Sequence, residues 1–462
     1  MNLHLALLLA YSAGLVALGL WIGRRVAGTG DFFVAGRRLG PGLIFATVLA
    51  ANIGAGSTVG AAGLGYRDGL SAWWWVGSAG VGSLVLAMWV GPRIRALAAE
   101  HDLHTVGDFL EWRYGPQVRA VIAVLLWAGT LMILAGQLIA LAWLLNVVVG
   151  LPKWLGCLAG GLVMTSYFAA GGLLASATVN LVQLVVLLGG FLLAIPFALS
   201  AAGGWGGLAS TQASATYWTF AQGGGSGWMY LAILGPSFVV SPGLLQKAYG
   251  ARSDRAVRIG IGANGLVLLA FAFVPVLLGM LAFARHPGLA TRDMALPMLL
   301  MHDVPPLIGS LGLAALFSAE VSSADAALFM LATSLSRDLY KRFVNPAASD
   351  AQVLRVARGA AIAGGVLGVA FAIVLESVIT ALTIFYTLLS VSLFVPVVAG
   401  LYSRRPGVPE ALSAIFTGVG VVLALQLLRG GRGVAGLTPP LLALLLAALA
   451  YAVVALMRRN RR

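Results

Sequence analysis

Long runs of apolar residues alternate with short polar or charged stretches along the whole chain. A helix needs about 20 consecutive apolar residues to cross the hydrocarbon of a bilayer. Runs of this kind occur at thirteen places: 3–22, 41–65, 70–92, 120–148, 152–170, 175–200, 227–246, 256–283, 306–335, 354–375, 377–401, 409–428 and 437–457. The pattern predicts an all-α integral membrane protein with about 13 transmembrane helices.

The loops between these runs differ in charge. If the N-terminus lies outside, 23 of the 29 Lys and Arg residues fall on inner loops and the C-terminal tail. Cytoplasmic loops of membrane proteins carry such an excess of basic residues. We therefore predict a multi-pass protein of the cell inner (plasma) membrane, with its N-terminus outside and its C-terminus in the cytoplasm. The same distribution accounts for the net charge of +14 without a nucleic-acid partner.

The composition supports a membrane protein and argues against an enzyme. Charged residues make up 10% of the 462 positions, whereas soluble domains carry about 25%. The single cysteine, Cys157, excludes an internal disulfide framework and a multi-cysteine metal site. The histidines fall at the ends of apolar runs or in loops, and none is paired with a buried nucleophile. A transporter-like sensor module is an alternative, but it would need a long soluble extension beyond Arg462.

Two of the apolar runs are interrupted by residues that break helices. The second carries NIGAGST at 52–58, and the seventh carries GPSFVVSPG at 235–243. Proline removes a backbone hydrogen bond and disrupts a helix interior. The two interruptions lie five helices apart, as expected for two five-helix units inserted in opposite orientations, and such pairs mark a midplane solute site in secondary transporters. The alternative is a pair of glycine-lined packing seams, in which Gly63 and Gly65 would take part.

Only two of the fifteen acidic residues lie deep in apolar sequence, Glu320 and Asp325. A lone carboxylate in a membrane span normally faces a bundle interior, an ion or a watery cavity. Ala319, Ser322 and Ser323 share roughly one face of the same helix. They offer two hydroxyl oxygens and, if the helix loosens, a free carbonyl, which are suitable ligands for a small cation. The alternative is that the two hydroxyls hydrogen-bond to their own helix.

Short motifs along the chain resemble those of the sodium:solute symporters. They are DFFVAGR at 31–37, the interrupted stretch at 52–66, TVGDFLEWRYG at 105–115, segments within 171–183 and 245–258, SSAD to DLYKR at 322–342, and PVVAGLY at 396–402. Their order and spacing together are specific, and they cover about residues 31–405. The last two predicted helices carry no such motif.

The resemblance implies a leucine-transporter-type fold that works by alternating access coupled to sodium. It divides the chain into a leading helix with an inner loop, two five-helix inverted repeats, and two accessory helices with a basic tail: 1–40, 41–200, 201–405 and 406–462. The implied function is sodium-coupled import of a small polar organic solute. The expected partners are this solute, the sodium ion and membrane lipid, and we expect the protein to work as a monomer.

The resemblance also implies an ion site. In the family, two carbonyls of the broken first core helix and a carbonyl and two hydroxyls of the eighth core helix bind sodium. In this chain they correspond to Ala50, Ile53, Ala319, Ser322 and Ser323. Neutral oxygens suit a monovalent ion, whereas a divalent ion would favour carboxylates. Many members carry an aspartate in the fifth core helix that supports a further sodium. This chain has Asn180 there, so we predict one sodium ion.

The solute cavity is expected between the two interruptions and the third and tenth core helices. The candidate solute-binding residues are Asn52, Gly56, Ser57, Thr58, Trp75, Gln137, Ser237, Phe238, Glu320 and Tyr386. Glu320 replaces a residue that is usually apolar or small in the family. It could be a protonated structural residue, balance a cationic solute or carry a proton. A proton-coupled or sodium-independent transporter of a cationic solute is therefore the alternative function.

Overall fold

The computed structural model describes residues 3–23, 39–211, 214–223, 225–403, 407–434 and 436–460, without the side chains of residues 16, 18–23, 166–181 and 460. These residues form nineteen α-helices: α1 Leu3–Gly23, α2 Pro41–Asn52, α3 Val59–Asp68, α4 Trp73–Val85, α5 Gly91–Glu100, α6 Val106–Tyr114, α7 Pro116–Val149, α8 Lys153–Ala201, α9 Gly204–Ser210, α10 Leu231–Val239, α11 Pro242–Tyr249, α12 Asp254–Phe271, α13 Phe273–Arg285, α14 Ala295–His302, α15 Pro306–Thr333, α16 Asp350–Val374, α17 Val378–Tyr402, α18 Val408–Arg429 and α19 Pro439–Asn460.

Shorter elements join these helices. The 3₁₀ turns are Ala55–Ser57, Gly69–Ala72, Ala215–Trp218, Trp228–Tyr230 and Arg292–Met294, and the π-helical segments are Leu86–Val90 and Ser334–Val344. Two short antiparallel strands, β1 (Gln222–Gly223) and β2 (Ser226–Gly227), form a hairpin just before α10. The all-α membrane architecture predicted from the sequence is therefore confirmed, with one small hairpin added.

Helix length and composition identify fewer membrane spans in the described residues than the thirteen apolar runs of the sequence. Ten helical stretches of the described chain are long and apolar enough to cross a membrane, and shorter apolar stretches are Pro41–Asn52 and Leu3–Leu15, the part of α1 whose side chains are all described. The two spans predicted at 152–170 and 175–200 appear as one element, the 49-residue α8. That length far exceeds the ~20 residues that one crossing needs. The count of thirteen therefore stays a prediction.

The helices around the broken elements pack in two groups. Helices α2, α3, α4, α10, α12 and α13 pack mainly against one another and form what we call the bundle. The scaffold is formed by α7, α8, α15 and α16, which contact one another in the same way. Helix α15 also contacts α1, α2 and α14, so it lies where the scaffold meets the bundle.

A compact cap covers one end of the bundle and consists of residues 214–230 apart from residue 224. The Tyr217 hydroxyl donates to the carbonyl of Gly65 at 2.7 Å, and the Ser226 hydroxyl donates to the buried carboxylate of Asp68 at 2.5 Å. The indole of Trp74 donates to the carbonyl of Phe220 in this cap. The cap therefore fixes the C-terminal end of α3 and the N-terminal end of α4.

Candidate ion and solute site

The first interruption is a true break between α2 and α3. Helix α2 ends at Asn52 because Ile53 and Gly54 adopt extended backbone angles, with ψ of 98° and −159°. A single 3₁₀ turn follows, and α3 begins at Val59. Glycine is required at 54, because an added Cβ would overlap the Ser323 hydroxyl and lie 2.7 Å from Ser323 Cβ. The break therefore passes directly against α15.

The break frees two backbone carbonyls. The N–H of Gly54, which would continue the helix by bonding to Ala50, donates instead to the Ser57 hydroxyl at 3.0 Å. The N–H of Ser57, in the same relation to Ile53, donates to the Gly54 carbonyl. Each freed carbonyl faces a serine of α15: Ser322 Oγ lies 3.5 Å from Ala50 O, and Ser323 Oγ lies 3.5 Å from Ile53 O.

The fifth oxygen of the predicted set belongs to Ala319. Helix α15 runs unbroken through this residue, so the expected loosening does not occur and the carbonyl can offer only its second lone pair. The Ser322 hydroxyl donates to it at 3.1 Å. The alternative prediction was that the two serine hydroxyls bond to their own helix. Ser322 makes such a bond, whereas the hydroxyl of Ser323 faces the carbonyl of Ile53 in the break.

The spacing of these oxygens fits a cation of sodium's size. Three of the distances between these oxygens are 3.1–3.5 Å. Two ligands at a right angle would be this far apart if each lay about 2.2–2.5 Å from an ion, close to the ~2.3–2.6 Å at which calcium, an ion of similar radius, binds oxygen. Ser322 and Ser323 are 3% and 6% exposed. The five oxygens carry no formal charge, which favours a monovalent over a divalent ion.

Two scaffold side chains contact the remainder of the break. Gln137 of α7 accepts a 2.8 Å hydrogen bond from the N–H of Ala55. The Thr58 hydroxyl lies 2.9 Å from both the Gly54 carbonyl and Oε1 of Glu320 on α15. Glu320 is 0% exposed, and its Oε2 has no hydrogen-bond partner within the described residues. Thus α15 contacts the break at both its start and its end.

The second interruption is narrower than the sequence suggested. Helix α10 continues through Pro236 to Val239, and α11 starts at Pro242. Only Val240 and Ser241 are non-helical, because the ring of Pro242 disfavours the helical conformation of the residue before it. Ser241 accordingly has a ψ of 121°. The Ser237 hydroxyl oxygen lies 2.6 Å from the carbonyl oxygens of both Ile233 and Tyr386, within hydrogen-bond distance of each.

Aromatic rings lie between the two breaks. The Tyr386 ring is 5.5 Å from that of Phe238 and 6.0 Å from that of Trp75, measured between centroids. Trp75 also contacts Tyr230 edge to face. The backbone of Gly56 packs beside these rings, because a Cβ there would lie 3.4 Å from the indole nitrogen of Trp75.

Asn52 is the predicted solute contact whose side chain bonds within the bundle. Its amide donates to Asn264 of α12, which in turn donates to Ser83 of α4, each at 3.3 Å. Asn264 and Ser83 are fully buried. Neither residue belongs to a motif identified in the sequence, although Asn264 is a polar residue within an apolar run. The side chain of Asn180 lies outside the described residues.

Two of the family-like motifs meet at an ionic cluster on the predicted inner side. Arg119 contacts Asp108, Glu111 and Asp338 at 3.0, 2.7 and 2.6 Å, and Arg342 also pairs with Glu111. Burial alone would raise the pKa of Glu111, but hydrogen bonds from Arg119 and Arg342 hold it below its usual value. The cluster joins α6 and α7 to the segment after α15.

Comparison with known proteins identifies this arrangement. The profile of the sodium:solute symporter family matches residues 32–418. The chain belongs to the sodium:solute symporter family. It is similar to the sodium/glucose cotransporter of Vibrio parahaemolyticus, with 26% identity over 76% of this chain and 71% of that protein. The sodium/pantothenate symporter of Escherichia coli is 27% identical over 93% and 91%.

A solved structure shares the fold. The substrate-bound outward-open state of a Na⁺-coupled sialic acid symporter covers 99% of this chain and 98% of its own, with a TM-score of 0.80 and 18% identity. The leucine-transporter-type fold and the sodium-coupled symport of a solute are therefore confirmed, and the protein is a multi-pass transporter of the plasma membrane rather than an enzyme.

Proposed function

We propose that one sodium ion binds where the first break meets α15. Its ligands are the carbonyl oxygens of Ala50, Ile53 and Ala319 and the hydroxyl oxygens of Ser322 and Ser323. The supporting observation is the pair of carbonyls freed by the break, each facing a serine hydroxyl at 3.5 Å. Together the five oxygens replace part of the hydration shell of the ion.

An ion at this position links binding to a change of shape. Ala50 and Ile53 belong to the broken helix of the bundle, and the two serines belong to the scaffold. The ion therefore binds best when the two groups of helices are close, and it shifts the population toward those conformations by its differential affinity. This coupling is what a symporter needs so that an ion gradient can drive a solute through alternating access.

We infer that a small polar organic solute binds between the two breaks. Trp75, Phe238 and Tyr386 supply its walls, and Gly56, Ser57, Thr58 and Glu320 line the first break beside it. Asn52, Gln137 and Ser237 each have a polar atom bonded to a protein group, so we assign them to holding the breaks in shape. The relatives described above differ in their solutes, which leaves the solute of this chain to experiment.

The orientation and working unit are also proposals. The excess of Lys and Arg on one set of loops supports an outer N-terminus and a cytoplasmic C-terminus. The ion ligands all come from one chain, which supports a functional monomer.

Uptake into proteoliposomes tests the proposed ion site. An inward sodium gradient should drive accumulation of the solute found by screening, and Ser322→Ala with Ser323→Ala should reduce uptake to the level seen without the gradient. Ser318→Ala is the matched control, because this serine is buried on the same helix but bonds to Ala314 and Tyr11. Gradient-driven uptake at the wild-type rate in the double variant would contradict the assignment.

A further inference from the structure

We infer that Glu320 couples the ion site to the solute site by tying the end of the first break to α15 through Thr58. The inference rests on the proposed function, and it gives a role to a residue that no resemblance to the family explains. Three contacts hold the first break against the scaffold: the ion site at its start, Gln137 at its middle, and Glu320 at its end.

The start and the end of the break contact the same helix. Ala50 and Ile53 face Ser322 and Ser323, one turn of α15 that also includes Ala319. Thr58, five residues after Ile53, bonds to Glu320, the residue next to Ala319. The stretch between these anchors contains Gly56, which borders Trp75 in the solute cleft.

This arrangement explains why a long acidic side chain occupies position 320. A buried polar group is costly unless it is hydrogen-bonded, and an apolar side chain would fill the same space at lower cost. Glu320 instead reaches across to the residue that immediately precedes α3, and the Thr58 hydroxyl bridges it to the Gly54 carbonyl. The contact thereby joins the end of the break both to its own start and to the scaffold.

The two anchors on α15, the ion site and Glu320, therefore have different roles. Sodium brings the end of α2 to the scaffold, and Glu320 holds the start of α3 there. With both anchors in place, the stretch around Gly56 is fixed at two points, so the presence of sodium sets its position beside the solute. Without the Glu320 contact, sodium still orders α2, but α3 and the cleft no longer follow. Glu320 is thus a positioning residue and not a ligand of the ion.

The readout is the gain in solute affinity that saturating sodium produces. Coupling between two sites typically changes affinity about 5–150-fold. We expect Glu320→Ala and Thr58→Val to reduce this gain to less than about threefold, while sodium affinity measured without solute stays within about threefold of wild type. The conservative variants Glu320→Gln and Thr58→Ser should keep the wild-type gain, because each side chain can still form the hydrogen bond between positions 58 and 320.

A double variant tests whether Thr58 and Glu320 affect the gain through their shared hydrogen bond or independently of each other. If Thr58 and Glu320 act through their mutual bond, Thr58→Val combined with Glu320→Ala loses no more coupling than either single variant. Ser318→Ala serves as the buried control on α15. Should Glu320→Ala fail to fold, Thr58→Val, which replaces one hydroxyl by a methyl group, tests the same bond.

Three results would overturn the inference. In the first, Glu320→Ala and Thr58→Val keep the wild-type gain. In the second, Glu320→Gln lowers solute affinity about a thousandfold, as expected when one partner of a buried charge pair is lost, while Thr58→Val keeps the wild-type gain; Glu320 would then bind a cationic solute. In the third, the two substitutions reduce the gain additively. Absence of any sodium-induced gain in the wild-type protein would instead contradict the proposed function.

Discussion

The two broken helices have different internal chemistry. The first break leaves two carbonyls without helical partners, and its bonds cross to the scaffold through Gln137 and Glu320. The second break spans two residues, Val240 and Ser241, and the buried hydroxyl one turn before it, that of Ser237, bonds to its own helix and to α17. The first break therefore turns backbone oxygens toward the scaffold, whereas the buried Ser237 side chain beside the second break is already hydrogen-bonded within the protein.

This difference assigns separate tasks to the two halves of the site. An ion needs several oxygens that can turn toward it, and at the first break two backbone carbonyls without helical partners face serine hydroxyls of α15. A narrow break redirects the chain and sets the rings of Phe238 and Tyr386 against each other. We therefore propose that the first break holds the ion and that the second shapes the cleft for a solute.

A methyl group placed at each break should show the largest contrast. Gly54→Ala puts a Cβ 2.7 Å from Ser323 Cβ, which no side-chain rotation can relieve. Overpacking typically costs ~1–3 kcal/mol, so sodium affinity should fall about ten- to a hundredfold. Gly243→Ala, at the second break, meets nothing within 4 Å and should leave sodium affinity within about twofold. Sodium titrations of both purified variants check this, and equal effects would remove the contrast.

Removing a polar side chain beside the first break should have a smaller effect. Gln137→Ala deprives the buried N–H of Ala55 of its acceptor, at a cost of ~1–3 kcal/mol, and the oxygens of the break should lose their alignment. We expect sodium affinity to fall about tenfold. The check is the sodium concentration for half-maximal uptake; a wild-type value would show that the break holds its shape without Gln137.

The smallest effect on transport is expected far from both breaks. Glu111→Gln weakens the inner ionic cluster, so stability should fall by ~1 kcal/mol at pH 7 and sodium affinity should stay at the wild-type value. The pKa of Glu111 is lower in the folded protein than in the unfolded chain. Its contribution is therefore present above the unfolded pKa and is lost as pH falls through the folded pKa. Thermal denaturation of both proteins should differ at pH 7 and converge in acid; a constant difference would contradict this.

The glycines and prolines made both breaks predictable, and they also explain where the prediction was too wide. Pro242 disfavours the helical conformation of Ser241 before it, and Gly54 leaves room for the close approach of Ser323. Pro236 removes one hydrogen bond, yet α10 continues past it. The meeting of Ser322 and Ser323 with the break could be inferred only through the resemblance to the family, because spacing along one helix does not show what faces it.

Other features depend on contacts between distant segments. Nothing in the local sequence indicates that Asn52 bonds to Asn264, 212 residues away, or that Tyr217 fixes the end of α3. The regular helix at Ala319 also depends on contacts between distant segments. Helix α15 packs against α1, α2, α7, α8, α14 and α16, and these contacts keep it regular. The joining of two predicted spans in α8 has no sequence signal that we can name.

Equilibrium sodium binding tests the central claim most directly. The midpoint of sodium-dependent thermal stabilisation should be measured for the wild-type protein, for Ser322→Ala with Ser323→Ala, and for Ser237→Ala, with potassium holding the ionic strength constant. Loss of both hydroxyl ligands should raise the sodium concentration at the midpoint at least about a hundredfold. Loss of the Ser237 hydroxyl, beside the second break, should change it less than about threefold. A wild-type midpoint in the double variant, or an equal shift in Ser237→Ala, would contradict the assignment of the ion to the first break.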